Sequence, residues 1–96
     1  MGALARNPSV LYEQLDDRAL LIDAEGTELM TLNLVGTLVW EALDGHRDAD
    51  VIAAELASRF PQVPPERIEA DVRAFLGELR REDLVVDGAP GPAADL

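Results

Sequence analysis

The stretch Glu28-Leu29-Met30-Thr31-Leu32-Asn33-Leu34-Val35-Gly36-Thr37-Leu38-Val39-Trp40-Glu41-Ala42-Leu43-Asp44-Gly45 decides the fold, because its pattern changes at Asn33. Up to Leu32 the residues alternate, as in a strand with one face buried. Beyond Asn33, residues Val35, Leu38, Val39, Ala42 and Leu43 recur at helical spacing. Asn33 is itself a good N-cap, since its side-chain oxygen can accept from a free amide of the first turn. Gly45 is placed to end this helix in the left-handed C′ conformation. Trp40 falls beside the stripe, one turn from Gly36. A small residue followed by a large one at that spacing predicts a second element passing close, with Trp40 packed against a later helix.

Two more strands precede this junction. Val10, Tyr12 and Gln14 alternate with Leu11, Glu13 and Leu15, and Ala19-Leu20-Leu21-Ile22-Asp23 is a short apolar run. Asp16-Asp17-Arg18 and Ala24-Glu25-Gly26 are turn signals. Short strands joined by tight turns predict an antiparallel meander, and its one apolar face needs a helical layer. Tyr12 suits a half-buried strand face, with its hydroxyl left in reach of water.

The rest of the chain supplies that layer. Asp48 or Asp50 can cap a second helix with the stripe Ile52, Ala53, Leu56 and Phe60, stopped by Pro61. Pro64-Pro65 opens a third, where proline sacrifices no hydrogen bond and Glu66 complements the helix dipole. Ile68, Val72, Phe75, Leu76 and Leu79 form its apolar face. Leu84-Val85-Val86 is a short return, either a β-bridge or a core plug. Residues 1–8 are expected to be flexible, residues 9–86 to form the domain, and the Gly-, Pro- and Ala-rich residues 87–96 to be disordered. The fold class is α+β: winged-helix-like, a three-stranded antiparallel sheet followed by three helices.

Composition narrows the function. Ninety-six residues leave room for one domain with a small core. With no cysteine, disulfides, thiolate metal sites and cysteine nucleophiles are excluded. No apolar run reaches membrane-span length and no signal-peptide pattern opens the chain, so it reads as cytoplasmic. Nineteen acids against eight bases give a formal charge of −11. A field that negative opposes nucleic acid and anionic membrane surfaces alike.

Catalytic chemistry finds little support. His46 lies in a polar loop and reads as a solvated histidine near a helix end. Glu66, Glu69 and Glu78 are spaced along an exposed helix face. Asp44, Asp48 and Asp50 do not match a calcium loop, because the required glycine and distal glutamate are missing from register. No catalytic residue, metal ligand or cofactor is assigned, and no enzymatic activity is expected of this chain alone. Binding is the better class. Glu28, Leu29, Met30 and Thr31 form the last strand of the meander, which carries no proline or lysine to block an edge. That edge is either protected by its shortness and by the third helix, or open to an extended peptide.

The segment Leu32 to Gly45 resembles the PqqD-like family, as do Val51-Ile52-Ala53-Ala54-Glu55-Leu56 with Phe60, and Asp71-Val72-Arg73-Ala74-Phe75-Leu76 with Leu79. Order and spacing agree from about Val10 to Val86. The resemblance implies a RiPP recognition element, a domain that binds the leader of a ribosomally synthesised precursor peptide and delivers it to a modifying enzyme. The leader is then held as an added strand along Glu28, Leu29, Met30 and Thr31. The wall of the groove comes from Ile68, Asp71, Val72 and Phe75 of the third helix, with Arg73 at the rim. The implied partners are a precursor peptide and a radical enzyme, leader protease or cyclase. The product is a quinone cofactor, a lasso peptide or another modified peptide. Asp83 stands where many relatives have glycine before the last apolar pair. Two other readings stay open: a winged-helix DNA-binding or transcription-related module, and a protein-only scaffold subunit of an enzyme complex. Salt-sensitive binding of duplex DNA marks the first, and enzyme association without precursor peptide the second.

Overall fold

Asn33 is the hinge between sheet and helices. In the computed structural model, which describes residues 3–16 and 18–88, its backbone is extended and its Oδ1 accepts from the Gly36 amide at 2.8 Å. The elements in chain order are β1 (Leu4–Arg6), β2 (Leu11–Gln14), β3 (Ala19–Ile22), β4 (Glu28–Leu32), α1 (Leu34–Ala42), α2 (Ala49–Arg59), α3 (Pro65–Arg81) and β5 (Val85–Asp87). β2, β3 and β4 form the antiparallel meander in that spatial order. The turn into β4 is closed by Asp23, whose Oδ1 accepts from the amides of Glu25 and Thr27, with Gly26 at φ +89°. Asp17, in the earlier turn, lies outside the described residues.

The sheet buries Ala19, Leu21 and Leu32 against the helices. Ile52, Ala53 and Leu56 of α2 and Ile68, Val72, Leu76 and Leu79 of α3 complete the core with Trp40, which is 1 % exposed. Asp48 caps α2, its Oδ1 accepting from the Val51 amide at 2.9 Å. Pro65 starts α3 in the first helical position.

Three expectations need correction. The first concerns the chain ends. Leu4–Arg6 is not a flexible segment: it pairs antiparallel with Val85–Asp87, and Leu4 is buried. The pairing runs one residue further, where the Gly88 amide donates to Ala3 O at 2.7 Å. Three residues with no period carry no local signal for a partner eighty residues away. The apolar return is therefore a strand, and Asp87 belongs to it. Residues 89–96 lie outside the described residues.

The second concerns α1. Its inward face is Gly36, Thr37, Val39 and Trp40, continued by Leu43, while Val35 stays exposed. The helix is rotated from the expected stripe because the bulk of Trp40 and the bareness of Gly36 both turn toward the core. The third concerns Gly45, which has the expected left-handed φ of 84° but lies one residue beyond the C′ position. α1 ends at Ala42, Leu43 is its C-cap, and the Gly45 amide donates to Leu4 O at 3.1 Å. The preceding Asp44 bridges to Ala5. Amides of His46 and then Arg47 point at its carboxylate, and they hold that carboxyl below the ordinary range.

The end of α3 directs the chain into β5. The Leu84 amide donates to Leu79 O at 2.9 Å and the Asp83 amide to Arg80 O at 3.1 Å. This is the Schellman pattern, with buried Leu84 against buried Leu79 and Asp83 in the left-handed position at φ 60°. An L-residue pays a steric cost there that glycine does not. Asp83→Gly is therefore expected to raise stability by roughly 0.5–1 kcal/mol, read as a higher urea midpoint at unchanged slope.

Candidate functional site

Among the described residues β4 is paired on one side only, with β3. A strand at the edge of a sheet points alternate backbone donors and acceptors away from its neighbour. The edge is not uniform. Leu20 pairs with Thr31 and Leu21 with Met30, but Ile22 pairs with Glu28, which leaves one extra residue on β4 at Leu29. This is a β-bulge, and it bends the start of the strand out of regular pairing. It also brings Glu28 and Thr31 to one side, where Thr31 Oγ1 donates to Glu28 Oε2 at 2.8 Å.

Beside the regular half of β4 lies an open cleft of about 510 Å³. Met30, Thr31 and Leu32 form one wall, Phe75 and Glu78 of α3 the other, and Asn33 and Gly36 the floor, with Arg18 also at its border. The floor is set by a close approach. A Cβ built on Gly36 lies 3.4 Å from Phe75 Cζ and 3.3 Å from Asn33 Oδ1. A methyl at 36 touches the Phe75 ring and crowds Asn33 Oδ1 by a few tenths of an ångström, so side chains beyond alanine push Phe75 toward the cleft or disturb the cap of α1. Met30 and Phe75 are half-buried, so each presents apolar surface to the cleft while packing against the core.

The sequence-derived site residues divide. Met30, Thr31 and Phe75 come together at the cleft. Glu28 and Leu29 are exposed on the same strand but do not line it. Ile68 and Val72, at 7 % and 1 % exposed, belong to the core. Asp71 is exposed and borders a neighbouring hollow with Val35 and Arg67. Arg73 lies on the α2 flank of α3, bound to Asp50 and near Glu69. Helical geometry explains the division: residues 68, 72, 76 and 79 face inward, while 71, 75 and 78 follow one flank. In the sequence Glu78 stands only among the acids of an exposed helix face, although it lies one turn after Phe75, and Gly36 is marked by its spacing to Trp40. Leu32 and Asn33 are marked only as strand end and cap, and Arg18 only as part of a turn.

Other polar groups are engaged elsewhere. Arg67 faces Asp71, Arg73 faces Asp50, and Arg80 donates to Asp87 at 2.8 Å, so each of these α3 arginines has an acid beside it. The Tyr12 hydroxyl donates to Glu41 Oε2 at 2.9 Å, and burial, then this carboxylate, pushes the phenol above its ordinary value. His46 is exposed. No helix among the described residues is long and apolar enough to cross a membrane.

A family model described as coenzyme PQQ synthesis protein D (PqqD) matches residues 18–85. The chain belongs to the PqqD family. That match takes in β3, β4 and all three helices, hence every element of the cleft. Among relatives, the PqqA binding protein of Rhizobium meliloti is 34 % identical over 76 residues, 79 % of this chain and 74 % of that one. PqqA binding protein 2 of Pseudomonas putida is 35 % identical over 83 residues, 86 % of this chain and 88 % of that one. The solved structure of TbiB1 in complex with the TbiA(beta) leader peptide shares the fold, with a TM-score of 0.73 over 90 % of this chain and 99 % of that one, at 24 % identity.

In this PqqD-family chain, Phe75 and Val72 answer different questions. Val72→Asp is expected to unfold the domain, because it buries a carboxylate with no partner in a small core. Phe75→Ala is expected to keep the fold at a cost of about 1–2 kcal/mol, since only part of the ring is buried. Far-ultraviolet circular dichroism with urea titration separates the two.

Proposed function

We propose that this protein binds the leader segment of a ribosomally synthesised precursor peptide and delivers it to a modifying enzyme, doing no chemistry itself. The observation that carries this reading is the pairing of β4, among the described residues, on one side only, beside a cleft to which Met30 and Phe75 present apolar surface. An extended peptide completes the edge as a further strand and sets side chains between Met30 and Phe75. The names of its relatives, proteins that bind PqqA, support a peptide as the ligand.

The energetics favour modest affinity. Each backbone hydrogen bond contributes about 0.5–1.5 kcal/mol net, because the free peptide already bonds to water. Ordering a disordered leader costs several of those bonds. Apolar side chains in the cleft must supply the difference, at about 25 cal/mol per Å² removed from water. The rest of the peptide stays free and gains effective concentration at an enzyme that holds this adaptor. The adaptor therefore lowers the concentration of precursor the enzyme needs without touching the reacting atoms. The duplex-DNA alternative is disfavoured by the net charge of −11 and by the acids beside the α3 arginines.

The test is a titration of isotope-labelled protein with the precursor peptide encoded beside its gene, followed by backbone amide shifts. Shifts are expected along Met30–Leu32 and around Phe75 and Glu78, and Phe75→Ala is expected to weaken binding roughly tenfold. A leader N-methylated at alternate residues is expected to lose binding in one of its two phases, because only one set of amides meets the strand. Shifts centred on β2 or the outer face of α2, or equal binding by both N-methylated leaders, would overturn strand addition.

A further inference from the structure

We infer that the leader, once past Leu32, sets a carboxamide side chain into a small polar hollow whose floor is the Thr37 hydroxyl. This rests on the strand-addition reading above. Thr37 is the first observation. It is 6 % exposed, and among the described residues its Oγ1 is buried with no hydrogen-bond partner. A hydroxyl held in that way is destabilising, and valine would fill the same shape without it, so its presence calls for a reason. The hollow beside it measures about 70 Å³ and is lined by Gln14, Asp16, Arg18, Leu34 and Thr37. All but Thr37 are exposed, so the hydroxyl forms the floor and the others the rim.

The hollow adjoins the peptide cleft. Arg18 lines both, so a single side chain stands between them. The strand register agrees. Ala19 pairs with Gln14 on one side and with Leu32 on the other, so Gln14, Arg18 and Leu32 lie at one end of the sheet. α1 starts at that end and gives Gly36 to the cleft and Thr37 to the hollow. A peptide strand that leaves β4 at Leu32 therefore reaches the hollow by crossing Arg18. The lining sets the occupant. Asp16 and Arg18 carry opposite charges, so the rim has no net charge to attract an ion. The Thr37 hydroxyl and the Gln14 amide can each donate and accept. The group that answers them together is one that also does both, a carboxamide of asparagine or glutamine. Size points the same way: the volume is about half the roughly 150 Å³ of a cavity that takes a benzene ring.

The experiment uses the whole chain and the precursor peptide encoded beside its gene, with each asparagine and glutamine of the leader replaced in turn by alanine. Thr37→Val keeps the shape of the side chain and removes the hydroxyl. This variant is expected to keep its fold with a higher urea midpoint, and to bind the unaltered leader roughly tenfold more weakly. One altered leader is expected to lose the same factor of about ten against the unmodified protein. It is expected to lose nothing more against Thr37→Val, because both changes remove one contact. Unchanged leader affinity in Thr37→Val, while Phe75→Ala still weakens binding, would overturn the polar hollow alone. So would losses that simply multiply, or a lower midpoint at unchanged affinity, which marks a hydroxyl that serves the fold through water. A leader that loses affinity at none of its asparagines and glutamines, or has none, would do the same. Failure of the unmodified protein to bind the unaltered leader would overturn strand addition and this inference with it.

Discussion

The close approach of α3 to the first turn of α1 governs the rest of the molecule. Phe75 reaches Gly36 so closely that a single methyl group there already touches the ring. This contact fixes how far α3 stands from the sheet. Closer, the helix would cover β4 and satisfy its edge; further, the cleft would lose its apolar wall. The contact in turn depends on Asn33, because the capped first turn holds Gly36 in line with the end of β4. A single residue thus ends the sheet, starts the helices and sets the floor between them. Trp40, one turn on, anchors the other side of the same arrangement in the core.

Much of this was legible in the sequence, for physical reasons that can be named. The limits of β4 followed from alternation that stops at a capping residue, and α3 from a proline start and a long apolar stripe. What sequence could not separate was the inward face of α3 from its flank. Val72 and Phe75 are both apolar and adjacent on the helical wheel, yet one is core and the other half-open. The separation depends on where the sheet ends, which is a tertiary fact. Nor does the sequence say which flank of α3 Arg73 takes, because its partner Asp50 is brought beside it by α2. β1 carries no mark in the sequence for another reason: its strand character comes wholly from pairing with β5.

Charge works at longer range than these contacts. The arginines of α3 named above are matched locally by acids, so the surplus of negative charge is spread over the remaining surface. Such a field acts on the rate and the choice of encounter more than on the grip of the final complex. A partner with a basic face is drawn in, and a strongly acidic one is slowed before any side chain meets the cleft.

The pairing of β1 with β5 has a consequence for architecture on a larger scale. Ala3 and Gly88 are joined by a hydrogen bond, so the two ends of the described fold lie side by side. They belong to a different sheet from β4. A unit built this way behaves as a cassette. It can be spliced into a surface loop of a larger enzyme without pulling the host's two connections apart, and the grafted unit keeps the open edge of β4 in another sheet from the seam.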